Sequence, residues 1–321
     1  MKEQKSTFQA SRYLHPGYWP LWMGLGLMWL TAHLPYRLQM GLGSLLGWFM
    51  YRFLPERRVY ASINLKLCFP EFSDTQRQQL LKEHFTSLGK GMIETAIAWW
   101  TPANRLQKLH RVEGLEHFDA ALEKGKGVIL LGAHFTTLEI GVHLLALHRP
   151  FRAMYREHNN PLFDAIMRKR RESYLEHTHE RRDVRGTMRS LKQNKVLWYA
   201  PDQDYGRKHS VFAPFFGVPA ALITATSRMS KLSGAEVVPF FQTRREDGSG
   251  YDLKLLPALE NFPSDDDVAD ATAINHVIEE EIRLQPAQYL WVHRRFKTQP
   301  EGMKRPYPKR GRRVRRKKTS S

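Results

Sequence analysis

His134 and Glu139 stand five residues apart where one hydrophobic pattern ends and another begins. The run Val128, Ile129, Leu130, Leu131 is uniformly apolar, the mark of a strand buried on both faces. Gly132 and Ala133 then lead to His134, and an apolar helical pattern opens around Glu139. An ionised carboxylate between Leu138 and Ile140 is costly to bury without a partner. The imidazole just ahead of the helix is the obvious candidate, and a carboxylate that orients an imidazole makes a general base for taking a proton off a hydroxyl. Five residues along an ideal helix is roughly 500°, so two helical side chains at this spacing point apart. His134 must therefore sit on the strand-to-helix turn, with Thr136 or Thr137 as the N-cap. The competing arrangement pairs Glu139 with His143 at i+4 and leaves His134 an ordinary buried histidine.

The elements that must hold these groups follow from the rest of the chain. Ser73 and Gln76 form a capping-box signal for a helix through Leu80, Leu81, Phe85 and Leu88, continued by an apolar stretch from Met92 to Trp100. From there strands and helices alternate: strands at 127–131, 151–155 and 196–200, helices at 137–147, 161–172, 186–193, 221–232 and 268–284. Residues 237–242 and 251–256 read as a hairpin across Asp247-Gly248-Ser249-Gly250, and 288–296 as a closing strand or extended segment. This pattern predicts an α/β fold with a mainly parallel central sheet flanked by helices. Reactive groups in such sheets gather beyond the carboxyl ends of the strands. His134, Arg156 and Asp202 all fall there.

The chain has 321 residues, 42% of them hydrophobic, and a formal charge of +18. Ten of those charges lie in residues 304–321, which hold no acid, so the remainder still carries +8. Such a field favours anionic partners. The tail itself reads as a disordered, solvated run. A single cysteine, Cys68, excludes an internal disulfide and a multi-cysteine metal site, and its apolar surroundings suit a packed thiol. Residues 14–36 contain no Lys, Arg, Asp or Glu, and aromatic residues flank them. A bilayer span needs about 20 such residues, so an N-terminal membrane-anchoring helix is expected here, with 38–51 as an interfacial or packed helix. The expected organisation is an N-terminal segment with the anchor (1–37), a catalytic domain (38–303) and the basic tail (304–321).

No Walker lysine motif, Gly-x-Ser-x-Gly elbow, dinucleotide glycine fingerprint or His-Glu-x-x-His motif is present. A nucleotide enzyme, an α/β serine hydrolase and a zinc peptidase are thereby disfavoured. What is present resembles one family. Gly132-Ala-His134-Phe-Thr-Thr-Leu-Glu139 is similar to the histidine-x4-acid motif of glycerolipid acyltransferases. Four further blocks narrow the likeness: 155–164 from Tyr155-Arg156, 198–206 around Pro201-Asp202-Gln203-Asp204, 210–216, and 289–302 containing His293-Arg294-Arg295. Together, and in order from His15 to Tyr307, they resemble the late acyltransferases of lipid A synthesis, most of all the Kdo(2)-lipid IV(A) lauroyltransferases.

The resemblance implies an inner-membrane enzyme facing the cytoplasm that moves a medium-chain acyl group from acyl carrier protein to a hydroxyacyl chain on a lipid A precursor. It implies His134 as base with Glu139 as its partner, Arg171 and Asp202 as further functional positions, and no metal or resident cofactor. Arg171 would stabilise an oxyanion or grip phosphate, and Asp202 would orient that arginine or cap a turn. Arg156, Arg294 and Arg295 are candidates for the acceptor's phosphates, unless they pair with the acidic helix around Glu279–Glu281. Acyl carrier protein, lipid A precursor and anionic membrane lipids are the expected partners. An acyltransferase for another glycolipid or phospholipid acceptor is the alternative. A tethered nucleic-acid binder leaves Glu139 and the apolar N-terminal segment unexplained, so no nucleic-acid partner is expected.

Overall fold

A computed structural model describes residues 9–308, so the tail beyond Pro308 and the first eight residues lie outside the described residues. The helices are α1 (Trp19–Ala32), α2 (Tyr36–Phe53), α3 (Pro55–Cys68), α4 (Asp74–Trp100), α5 (Ala103–Leu106), α6 (Leu115–Glu123), α7 (Leu138–Ala146), α8 (Pro161–Arg171), α9 (Val184–Lys192), α10 (Ala225–Ser233) and α11 (Asp267–Leu284). The strands are β1 (His110–Glu113), β2 (Val128–Leu131), β3 (Arg152–Tyr155), β4 (His177–Glu180), β5 (Val196–Tyr199), β6 (Ser210–Phe215), β7 (Val218–Ile223), β8 (Glu236–Arg244) and β9 (Tyr251–Leu255).

Seven strands form the central sheet in the order β1-β9-β8-β2-β5-β3-β4. β8, β2, β5, β3 and β4 run parallel, and β9 returns antiparallel to β8 as the Asp247–Gly250 turn predicts. β2 is buried at every position, which is why it reads as a continuous apolar run. Its side chains divide by the period of two: Ile129 and Leu131 enter a core with Leu197, Tyr199, Val237 and Phe241. Val128 and Leu130 face the opposite core with Val196, Trp198, Val238 and Phe240. α3, α9, α10 and α11 contribute to the first of these layers, and α6, α7 and α8 to the second. α4 reaches both, with Phe85 in one and Trp99 in the other.

Local signals place several boundaries. The Ser73 hydroxyl accepts from the Gln76 N–H at 3.2 Å while the Ser73 N–H donates to the Gln76 side chain at 2.8 Å, the reciprocal cap expected for α4. Asn160 accepts from the N–H groups of Leu162 and Phe163 at 3.1 and 3.2 Å and starts α8. Residues 288–296 run in turns after a 3-10 turn, with a single bridge at Tyr289 in place of a closing strand, and 218–223 is a strand, so the helix starts only at Ala225. Phe216 and Gly217 both take positive φ (51° and 73°), the twist a tight hairpin needs, so β7 folds back on β6 before the helix can begin. Sequence reasoning also passed over β1 and β4, short polar edge strands without an apolar run.

The expected transmembrane helix is a further correction. The uncharged run is broken at Pro35, which stands at the N-cap of α2. α1 is therefore only 14 residues long, about 21 Å at 1.5 Å per residue, short of the roughly 30 Å hydrocarbon core. Among the described residues no helix is long and apolar enough to cross a membrane. α2 instead lies along α4, where the backbones at Gly43, Gly47 and Gly89 approach so closely that a Cβ at Gly89 would stand 2.2 Å from the Gly43 carbonyl oxygen. The outer faces of α1 and α2 expose large apolar side chains, among them Trp19, Met23, Leu27, Leu45, Trp48 and Phe53.

Candidate active site

β2 and β5 are neighbours, with Leu131 opposite Tyr199. His134 lies three residues past Leu131 and Asp202 three past Tyr199, so equal overhangs on adjacent parallel strands bring the two side chains to the same height. Gly132 permits the turn: a Cβ there would fall 2.6 Å from the indole nitrogen of Trp198. His134 Nδ1 is 2.6 Å from Asp202 Oδ1, and the His134 backbone N–H donates to Oδ2 at 3.0 Å. The Tyr289 hydroxyl donates to the same oxygen at 3.0 Å. Tyr289 is placed by the chain itself, since Leu290 N–H donates to the His134 carbonyl at 2.9 Å and Phe135 bridges Tyr289. Burial alone would raise the Asp202 carboxyl, but the facing imidazole and its hydrogen bonds hold it down to about 2. Asp202 is 1% exposed and the His134 side chain 24%. Nε2 of His134 makes no hydrogen bond among the described residues, so the ring presents its second nitrogen to the open side.

Glu139 is elsewhere. It sits in the first turn of α7, as the turn geometry requires, and points into the opposite core. Arg171, on α8, donates from Nε at 2.9 and 3.2 Å and from Nη2 at 2.5 Å, a bidentate grip. Trp99 Nε1 adds a bond at 2.7 Å and the Tyr174 hydroxyl another at 3.0 Å. Burial pushes the carboxyl of Glu139 up, yet the Arg171 charge and these donors outweigh it and keep it below its ordinary value. The expected His134–Glu139 pair is thus replaced by two pairs, His134–Asp202 and Glu139–Arg171. Asp202 orients the histidine and not the arginine, and Arg171 is committed to Glu139. The i+4 alternative is absent as well: His143 Nδ1 meets the Ala98 carbonyl at 2.6 Å, and its ring stacks on Tyr174 at 4.0 Å. Thr137 stands at the cap position of α7, but its hydroxyl donates to the Gln242 carbonyl at 2.9 Å.

The remaining candidates separate in the same way. Arg156 is exposed just beyond β3. Arg294 is half-buried with its guanidinium 5.3 Å above the Tyr60 ring. Arg295 is 1% exposed, donates to the Ala221 carbonyl at 2.7 Å and to Asn275 of α11 at 3.3 Å, and packs over Phe215; it is a strut of the core with no face for a ligand. Cys68 is buried, and burial pushes its thiol well up. Tyr289, Trp99 and Tyr174 were not anticipated. The usable signal lay in Pro201-Asp202, an acid just past a buried strand at the same offset as His134, which strand adjacency turns into a contact.

Fold and site define a class: a mainly parallel α/β protein with an imidazole–carboxylate pair at the ends of adjacent strands. Comparison with known proteins narrows it. The family described as bacterial lipid A biosynthesis acyltransferase matches residues 7–298. The lipid A biosynthesis palmitoleoyltransferase of Escherichia coli (strain K12) is 42% identical over 294 residues, 91% of this chain and 96% of the relative. The lipid A biosynthesis lauroyltransferase of the same organism is 41% identical over 295 residues, 92% of this chain and 96% of the relative. The solved 1-acyl-sn-glycerophosphate acyltransferase of Thermotoga maritima aligns over 79% of this chain and 99% of its own at 14% identity with a TM-score of 0.36. The chain belongs to the bacterial lipid A biosynthesis acyltransferase family, and it is an acyltransferase.

Proposed function

We propose that the protein transfers a medium-chain fatty acyl group of the lauroyl type from acyl carrier protein to the hydroxyl of a hydroxyacyl chain on a lipid A precursor. The observation that carries the reading is the His134–Asp202 contact at 2.6 Å beside an unbonded second imidazole nitrogen. His134 Nε2 takes the acceptor hydroxyl proton as its oxygen attacks the thioester carbonyl. The C–S bond then breaks and the imidazolium returns the proton to the departing thiolate. Asp202 holds the imidazole in the tautomer that leaves Nε2 free to accept, and supports the positive charge when it forms. Glu139 and Arg171 act behind this pair: by tying α7 to α8 and α4, they fix the turn on which His134 stands.

The reaction takes place at the cytoplasmic face of the inner membrane. The exposed apolar side chains of α1 and α2 lie in the membrane interface in this reading, and the basic surface and tail add attraction to anionic lipids. Purified protein incubated with lauroyl-acyl carrier protein and a tetra-acylated lipid A precursor is expected to yield a product heavier by one acyl chain, located by mass spectrometry on a hydroxyacyl group. An untouched precursor, or an ester appearing on a phospholipid instead, overturns the acceptor assignment.

A further inference from the structure

Beside the catalytic pair lies a recess of about 150 Å³, walled by Glu56, Arg57 and Tyr60 from the start of α3 and by His293, Arg294 and Lys297 from the segment after Tyr289. Three permanent cations face one carboxylate there. That carboxylate is already engaged, since Glu56 accepts from the Tyr60 hydroxyl at 2.5 Å. Arg294 stacks on Tyr60 and Arg57 reaches the Val292 carbonyl at 3.4 Å, and neither has a carboxylate partner among the described residues. The positive end of the α3 dipole points the same way. Lys297 also lies 3.6 Å from the Asp204 carboxylate, so Arg57 and Arg294 stand against the single charge of Glu56, and the surplus positive charge in this half-enclosed space is arranged for an anion.

The position of the recess says which kind. On one side it shares structure with the catalytic loop: Lys297 Nζ donates to the Asp204 carbonyl at 3.0 Å, and Asp204 N–H donates to His293 at 3.2 Å, two residues along from Asp202. On the other side stand Phe53, 62% exposed, and Leu54, 41% exposed, where the apolar outer face of α2 ends. A cationic recess between a hydroxyl-activating histidine and an apolar surface fits an amphiphile that keeps its chains on the apolar side and its charged head in the recess.

We propose that Arg57 and Arg294, with Lys297, form a subsite for a phosphate monoester on the headgroup of the lipid acceptor. The proposal rests on the acceptor reading given above. The phosphodiester of a carrier-bound donor offers the same chemistry, so the test has an arm for each source. Lys297 is left intact because it also braces the catalytic loop. In Arg294→Gln and Arg57→Gln the KM for a phosphorylated lipid A precursor is expected to rise about tenfold, the scale of one lost charge-assisted hydrogen bond, while the KM for the acyl donor stays. Wild-type enzyme given an enzymatically dephosphorylated precursor should show the same rise, and Arg294→Gln should lose nothing more on that substrate; a variant that is merely misfolded would lose on both. Arg294→Lys should recover part of the loss. Unchanged acceptor KM in both variants overturns the subsite, and so does a rise confined to the donor. If wild type acylates no lipid A precursor at all, the acceptor reading fails instead.

Discussion

Two acid–base pairs grow from one short stretch of chain, and they have opposite characters. Around Glu139 every strong group is used: the carboxylate receives five hydrogen bonds, from Arg171, Trp99 and Tyr174, and Arg171 is locked on both of its oxygens. Around Asp202 the carboxylate receives three hydrogen bonds, but its partner keeps one nitrogen unspent and part of the ring exposed. A closed pair resists change and holds elements together. A pair with one open valence can move a proton. On the proposed mechanism the histidine-x4-acid spacing marks two jobs, with the chemistry at its first residue and architecture at its last.

This contrast breaks most sharply at the open pair. His134→Ala is expected to cut acyl transfer by about 10²–10⁴-fold with the fold intact, and Asp202→Asn should approach that loss through a misoriented ring. Turnover near wild type in a single-turnover assay would remove His134 from the mechanism. The closed pair should fail differently. Glu139→Gln leaves Arg171 without its counter-charge, at a cost of about 3–5 kcal/mol in stability as for other broken buried pairs. Denaturant unfolding measures it, and a double replacement by methionine at Glu139 and Arg171 should recover much of that loss. Full stability in Glu139→Gln would show the pair is not structural. His143→Ala, which removes the hydrogen bond to the Ala98 carbonyl and the stack on Tyr174, should change the rate little.

A pH test separates the clusters further. Asp202 has a folded value of about 2 against an ordinary 3.8, so its ionisation stabilises the protein fully above about pH 4, and that contribution drains away as pH falls through 3.8 toward 2. In Asp202→Asn the loss of stability across this window should be shallower than in wild type, read from denaturant midpoints; coincident curves would mean the carboxylate gains nothing from its partners. The smallest effect concerns the tail. Tyr307 is buried, with its hydroxyl donating to Asn64 and accepting from the Phe296 N–H at 3.0 Å, so removal should begin after Pro308. Loss of residues 309–321 should weaken sedimentation with anionic vesicles and leave transfer to a detergent-dispersed acceptor near wild type; loss of that transfer would place the tail in the reaction.

Much of the frame was legible because local chemistry specifies it. Four consecutive buried apolar residues make β2, Ser73 with Gln76 starts α4, and Asn160-Pro161 starts α8. The polar edge strands β1 and β4 carry no such signal, and the β6–β7 turn depends on a positive φ at a phenylalanine, which no pattern rule anticipates.

By itself the sequence determined that a histidine would stand on a turn after a buried strand and that a nearby glutamate would need a partner, because burial energetics and helical period act over a few residues. It also determined the family, through blocks that recur in order along nearly the whole chain. Which groups meet was decided only in three dimensions. Strand order makes β5 the neighbour of β2, and with that Asp202, 68 residues away, reaches His134 while Glu139, five residues away, is turned by its helix toward Arg171.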